Sequence, residues 1–309
     1  MKISGLWLNL LLASFVCARA QVTVEVTQEQ QQFLAGEALK VAVRITNLSG
    51  QELHLGAEDD WLEFSVESRD GMVVPKIGEA PVVGAFTLES SKVAIKRVDL
   101  APYFQLIQPG NYQVVATVRI REWNRDLVSP AKIFDVIQSM TLWEQDVGIP
   151  KANESPESQP EIRRYILQQA NNSRGRIRLY LRITDAYNKT LRVLPIGPMV
   201  SFGKPESQVD KLNNLHVLCQ EGPNSYNYTV CNLQGDVITH QTYEYSNSRP
   251  RLRPGDDGSI SVSGGNRRVA ANDVPPPKQE DLSEDTPLQA PDSKSAPAAN
   301  PPALAKPSH

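Results

Sequence analysis

Strict two-residue alternation of apolar and polar side chains is the feature that most limits what this chain can become. Leu39-Lys40-Val41-Ala42-Val43-Arg44-Ile45 keeps the alternation until Asn47-Leu48-Ser49-Gly50 ends it, and Val22-Thr23-Val24-Glu25-Val26 keeps it near the start. Successive side chains of an extended strand point to opposite sheet faces, so such runs bury one face and wet the other. Arg176 to Ile183 repeats the pattern with a basic outer face. Further runs lie at Glu52–Leu55, Leu62–Val66, Val93–Leu100, Tyr112–Ile120 and Ile133–Val136, each bounded by turn-forming residues. No convincing helical period competes, and the chain is expected to be all-β.

Lys2, the apolar run Ile3 to Val16 and Ala18-Arg19-Ala20 before Gln21 read as an export signal over 1–20, cleaved after Ala20. The run falls short of the roughly 20 apolar residues that cross a bilayer, so no transmembrane helix is expected. Bulky Phe15 and Val16 ahead of Cys17 do not fit a lipoprotein. The mature chain would be periplasmic or extracellular, where disulfides form. It retains Cys219 and Cys231, flanking the turn-like Glu221-Gly222-Pro223-Asn224-Ser225. Cys219 is in phase with Leu215 and Val217, and Cys231 with Asn227 and Thr229, which reads as two different faces unless a bulge intervenes. A disulfide and a pair of free, half-buried thiols both stay open.

Composition divides the chain into an exported leader, a β-sandwich at 21–137, a linker at 138–160, a β-repeat domain at 161–269 and a Pro-rich tail at 270–309. The tail carries Pro275-Pro276-Pro277 and many Asp, Glu, Ser and Ala residues, too little apolar area to offset ordering entropy, and is expected to be disordered. In the first domain, Pro109-Gly110-Asn111-Tyr112 feeds a long alternating strand. With Gly36-Glu37 and Ile45-Thr46-Asn47, this resembles bacterial immunoglobulin-like modules and small β-domains of the proteinase-inhibitor type. The resemblance covers about a third of the chain and implies an immunoglobulin-like β-sandwich.

Ser201, Lys204-Pro205, Asn213-Asn214 and Leu215-His216-Val217 recur as Ser246, Arg249-Pro250, Gly258-Ser259 and Ile260-Ser261-Val262, at an offset of about 45 residues. Each copy resembles part of a β-propeller blade. Only two to three such units fit, fewer than the four to eight that close a propeller, so a compact antiparallel stack against the sandwich is expected. The chain as a whole also resembles exported bacterial β-rich proteins of unknown function that carry an SRPRL-type element, here Ser248 to Leu252.

Catalytic motifs are missing: there is no HExxH, no GxSxG elbow and no phosphate-loop spacing, so no catalytic, metal or cofactor-binding residue is assigned. His216 and His240 lie on different strands, and a zinc site would need a third ligand such as Cys219 or Asp236. Glu58-Asp59-Asp60 and Asp256-Asp257 adjoin Gly56, Gly255 and Gly258 and read as turns. A carbohydrate-active enzyme would need a pair of such carboxylates across a cleft. Protease inhibition by an exposed sandwich loop is a third reading.

Charge is more informative. Gln21–Pro150 carries a net charge of roughly −7 and Glu161–Arg268 roughly +6. Arg176, Arg178 and Arg182 share one strand face, and Arg249, Arg251 and Arg253 recur at period two. Guanidinium forks suit carboxylates, sulfates and phosphates, so both sets are candidate anion or partner sites. Their ligand would be an envelope protein, an acidic glycan or the acidic first domain itself. Nucleic acid is not expected for an exported chain of net charge −3. Trp123, within Arg121-Glu122-Trp123-Asn124-Arg125-Asp126, is a candidate contact residue at a loop tip.

Overall fold

The computed structural model describes residues 22–149, 161–172 and 175–275. Apart from two three-residue 3-10 turns, every regular element among them is a strand. The first unit holds β1 (Val22–Gln28), β2 (Gln32–Leu34), β3 (Lys40–Asn47), β4 (Leu53–Leu55), β5 (Leu62–Ser68), β6 (Phe86–Leu88), β7 (Lys92–Asp99), β8 (Gly110–Ile120), β9 (Arg125–Val128) and β10 (Lys132–Ile137). One sheet runs β1-β3-β7, and a second runs β2-β10-β8-β5 with β9 added to β8. Valines and isoleucines of alternating β1 and β3 meet Phe64, Val114, Val118 and Phe134 from the other sheet in a single core. Inside it Tyr112 stacks on Phe134 at 5.7 Å, and the Trp61 indole N–H donates to the Val82 carbonyl at 2.7 Å. Buried aromatics thus keep their polar ends satisfied.

β7 is an edge strand. Its Val93 and Ile95 are exposed on the outer face, while Lys96 turns to the inner side with its ammonium 4.3 Å from the centre of the Phe86 ring.

The second unit contains β11 (Met140–Ile149), β12 (Glu161–Asn171), β13 (Ile177–Asp185), β14 (Thr190–Met199), β15 (Glu206–Val209), β16 (Leu215–Gln220), β17 (Ser225–Cys231), β18 (Val237–Glu244), β19 (Arg251–Pro254), β20 (Ile260–Ser263) and β21 (Asn266–Arg268). Two meanders, β11-β12-β13-β14 and β15-β16-β17-β18 with β21, bury Leu167, Leu179, Leu181 and Ile183 against Leu215 and Val217. The outer face of the second meander is roofed by the β19–β20 ribbon, whose Leu252, Ile260 and Val262 cover Leu218, Tyr226, Tyr228 and Val230.

Three details differ from the sequence reading. Met140–Ile149, inside the expected linker, is a ten-residue strand, and only Gln138 and Ser139 separate β10 from β11. Its alternation is broken by a register shift between Thr141 and Trp143 and it lies at a sheet edge, so it carries little periodic signal. The two repeat copies are the hairpins β15–β16 and β19–β20, and they touch each other: Lys211 N donates to Gly258 O (3.3 Å) and Leu252 N to the Glu206 carboxylate (2.9 Å). The meanders pack face to face around a core, whereas propeller blades are arranged radially. Finally, residues 270–275 of the expected tail are described: Asp273 is buried and pairs with Arg267 at 3.2 Å, and Val274 exchanges backbone hydrogen bonds with His240. The rest of the tail, the leader and residues 150–160 lie outside the described residues.

Candidate functional site

The junction between the two units begins with a turn. Leu34-Ala35-Gly36-Glu37 closes through Glu37 N to Leu34 O at 2.9 Å. Gly36 has φ +82°, a left-handed conformation that glycine adopts without steric cost. A Cβ there would also sit 3.1 Å from Thr190 Cγ2. The buried Glu37 carboxylate braces the turn, accepting from Leu34 N (2.8 Å) and Gln30 Nε2 (2.7 Å). Burial pushes its pKa up; those hydrogen bonds and the charge of Arg178 offset part of the rise.

This turn docks on the outer face of β12, β13 and β14. Leu34 enters a cluster with Ala170, Tyr180 and Val193, with Ile137 beside it. Arg178, Tyr180 and Arg182 share that face because β13 alternates, with Leu179, Leu181 and Ile183 opposite in the core. Arg182 donates to Ala35 O (2.9 Å) across the junction, and to Thr190 Oγ1 (2.9 Å) and Gln168 Oε1 (3.0 Å) beside it. Burial lowers the pKa of this guanidinium, and the three acceptors are the compensation a desolvated cation needs. Arg178 reaches Gln30 Oε1 at 3.5 Å. Arg176 precedes β13, is exposed, and among the described residues bonds only Asn172, its N–H donating to Asn172 Oδ1 (2.9 Å) and its carbonyl accepting from Asn172 N (2.9 Å).

Beside the docked turn lies a cleft of about 920 Å³ between the units, lined from the first by Glu29, Lys40, Ile77 and Pro102 and from the second by Lys189 to Pro195. A hollow of about 390 Å³ over β1, β3 and β7 continues it, sharing Glu29, Lys40 and Asp99 and adding Arg97. Lys40, Arg97, Lys189 and Arg192 are all exposed, and among the described residues none is in an ion pair. Asp99 is committed to Leu39 N (2.8 Å) and Ala101 N (3.1 Å). The same lining holds the carboxylates Glu29, Glu37 and Asp99, so the cleft presents charges of both signs beside exposed Ile77 and Leu191.

The second arginine set sits elsewhere. Arg249 lies 5.4 Å over the Tyr226 ring, and Arg251 is 3.5 Å from the Glu206 carboxylate. Arg251 and Arg253 share the exposed side of β19, with Leu252 buried between them. These contacts stay within the second unit, so the docking role open to both sets falls to Arg178 and Arg182. Trp123 is half-buried and packs back on the first core, so the loop tip presents its charged neighbours instead.

Cys219 and Cys231 are free and buried. The register pairs Leu215 with Cys231 and Cys219 with Asn227, so both thiols face the same core. They lie four residues apart along the ladder, about 13 Å, beyond the reach of a disulfide. The reading of two different faces failed because Asn227 and Thr229, though polar, point inward, where Asn227 donates to Ile196 O (3.4 Å) and Thr229 to Asn227 Oδ1 (2.9 Å).

His216 is buried beneath the β19–β20 ribbon, its Nδ1 2.7 Å from Tyr228 Oη and its Nε2 3.1 Å from Asp210 Oδ2. His240 Nδ1 is 3.3 Å from Thr229 Oγ1. No cluster of metal-ligating side chains occurs among the described residues. Of the turn carboxylates, Glu58 pairs with Arg121, Asp60 with Arg119 and Arg121, and Asp257 accepts from the Ser259 amide and hydroxyl (3.0 and 2.6 Å). Sequence reasoning missed the cleft. The one local clue was Glu37, a lone acid beside a glycine inside Phe33-Leu34-Ala35-Gly36-Glu37-Ala38-Leu39.

No family model and no curated protein matches the chain. Among solved structures, Spo0M, a sporulation control protein from Bacillus subtilis, is similar over 53% of this chain and 80% of its own, at 9% identity and a TM-score of 0.29. A likeness this low carries no argument.

Proposed function

We propose that this is a non-enzymatic exported binding or scaffold protein of the bacterial envelope, an immunoglobulin-like sandwich joined to a small β-repeat unit, with its partner held in the junction cleft. The observation that carries this reading is the cleft itself, where Lys40 and Lys189, the carboxylate of Glu29 and exposed Ile77 and Leu191 stand beside the docking contacts of Arg182 and Leu34. Ligand sites favour such inter-domain positions. The leader-like Ala18-Arg19-Ala20 supports export. A segment of an envelope protein with charged and aliphatic side chains suits the lining better than an acidic glycan, because the exposed apolar residues, Ile77 and Leu191, are aliphatic and offer no aromatic platform.

The test is capture from envelope extracts and on immobilised acidic polysaccharides by the mature chain, beside a Lys40→Glu/Lys189→Glu variant. Saturable capture of an envelope protein that falls about tenfold with charge reversal is expected. Capture indifferent to the reversal would reject the cleft as the site. Release of shortened sugars would replace this reading with a carbohydrate-active enzyme.

A further inference from the structure

We infer that the end of the second unit where β14, β16 and β18 finish carries a glycan-binding surface built on Phe202 and Tyr245. It lies away from the cleft, so either site can fail without the other.

The repeat read from the sequence gives the frame. Its two copies open with segments 200–205 and 245–250, which lead into the β15–β16 and β19–β20 hairpins. In both, the proline of the matched pair is buried and the cation before it is exposed: Lys204-Pro205 in one, Arg249-Pro250 in the other. Both lead-ins are pinned beside the turn between β16 and β17. Val200 N donates to Gln220 O (3.0 Å) and Gly203 N to Val200 O (3.1 Å) on one side, and Tyr245 N donates to Asn224 O (2.8 Å) on the other. The turn is braced by Gln220 Nε2, which donates to the Gly222 and Pro223 carbonyls (3.0 and 3.2 Å). Only β17 separates β16 from β18, so the backbones of Phe202 and Tyr245 lie about 10–15 Å apart.

Phe202 is 80% and Tyr245 53% exposed. Of the three exposed aromatic side chains among the described residues, these are the two brought together; Tyr187 lies at the other end of β14. Buried prolines and hydrogen-bonded turns fix the backbone, so presenting the rings to a ligand costs little ordering entropy. Around them Ser201, Asn224, Asn247, Lys204 and Arg249 are exposed, and neither cation is in an ion pair among the described residues. The carboxylates at this end are engaged: Glu206 with Arg251 and Leu252 N, Glu244 with Arg268, and Glu221 with the Ser225 hydroxyl. Among the described residues of 200–206, 220–225 and 244–250, no Leu, Ile, Val or Met is exposed. A protein partner would call for a contiguous apolar patch. Isolated rings set among amides and hydroxyls instead match pyranose sugars, whose ring faces are apolar C–H surface and whose rims are hydroxyls. Stacking supplies the affinity, and the polar groups orient the rim.

The experiment measures retention of the mature chain on peptidoglycan sacculi, on chitin and on alginate beads, at low salt and at about 0.5 M. Saturable retention on at least one is expected, falling about tenfold in Phe202→Ala and further in Phe202→Ala/Tyr245→Ala. The urea midpoint should not move, because both side chains are exposed. Phe202→Trp should keep the binding. Tyr187→Ala and Lys40→Glu/Lys189→Glu should bind as the parent does. Retention on chitin that resists salt would assign neutral sugar faces as the ligand. Retention on alginate alone, lost in salt and in Lys204→Gln/Arg249→Gln as well as in the ring variants, would assign an acidic glycan. No retention on any of the three, retention indifferent to Phe202→Ala/Tyr245→Ala, or an equal loss in Tyr187→Ala would overturn the inference. If glycan retention behaves as expected while capture of an envelope protein ignores the cleft reversal, only the cleft reading falls.

Discussion

Replacing Arg182 by alanine tests whether the two units are held as one body. The guanidinium donates to Ala35 O, Thr190 Oγ1 and Gln168 Oε1 at 2.9–3.0 Å. Hydrogen bonds to a charged group contribute about 1.5–3 kcal/mol each. Thr190 and Gln168 are half-buried and regain water after truncation. The variant is also spared the desolvation that lowers the pKa of Arg182. The net loss should be about 2–3 kcal/mol, close to the contribution of the single bond that crosses the junction. For a cooperative unit of this size that lowers Tm by about 5–10 °C. Urea titration should show a lower midpoint, and a split into two transitions if the units uncouple. Arg182→Lys, able to replace one donor, should recover about a third of the loss. Arg251→Ala and Arg253→Ala, with the same charge change at exposed positions, should stay within about 0.5 kcal/mol. A single transition within about 0.5 kcal/mol of the parent for Arg182→Ala would refute the claim that this arginine ties the units together.

Gly36→Ala should cost about 1–2 kcal/mol from its left-handed φ alone, with the Thr190 contact adding to it, read by the same titration. Burial pushes the thiols of Cys219 and Cys231 up to about 12, so neither should react with iodoacetamide at pH 8 until denaturant is added; rapid native labelling would contradict the packing. Burial raises Asp210, but hydrogen bonds from Asn214, His216 and the Leu212 amide outweigh it and leave the pKa below 3.8. Its contribution is present above that value and lost as pH falls through the folded pKa, so Asp210→Asn should cost about 1–2 kcal/mol at neutral pH and less near pH 3. Glu37 has the opposite sign. Its raised pKa favours the folded state below the unfolded value of 4.5 and that gain is lost as pH rises through the folded pKa, so the stability difference between the parent and Glu37→Gln should shift against the parent as pH rises above 4.5.

Much of the strand layout was legible because period two is a local property. β1, β3 and β8 each bury the face their apolar residues mark, and β13 buries that face too, with Tyr180 and Thr184 buried on the other. What covers the opposite face is not local. His216 lies on the polar side of β16, yet that side is roofed by a ribbon some 40 residues further along and the imidazole is buried. The two arginine sets look alike in sequence, but one faces the turn at Leu34–Glu37 and the other faces solvent. Polarity also misled at Asn227 and Thr229, which are satisfied inside the core by hydrogen bonds no periodicity announces. The cleft was out of reach for the same reason: its walls come from residues near 30–40, 77, 100 and 190, and only the packing of one unit on the other assembles them.

The inward turn of Lys96 on β7 bears on how such a protein survives crowding. An eight-residue unpaired edge whose outer face carries Val93 and Ile95 is a template onto which a foreign strand could polymerise. Any strand added there would have to trap the Lys96 ammonium between itself and the Phe86 ring, away from water. One misdirected cation thus guards the only long apolar edge of the β1-β3-β7 sheet, and a chain that kept every core contact but lost this lysine would fold correctly and still be prone to fibrous self-association.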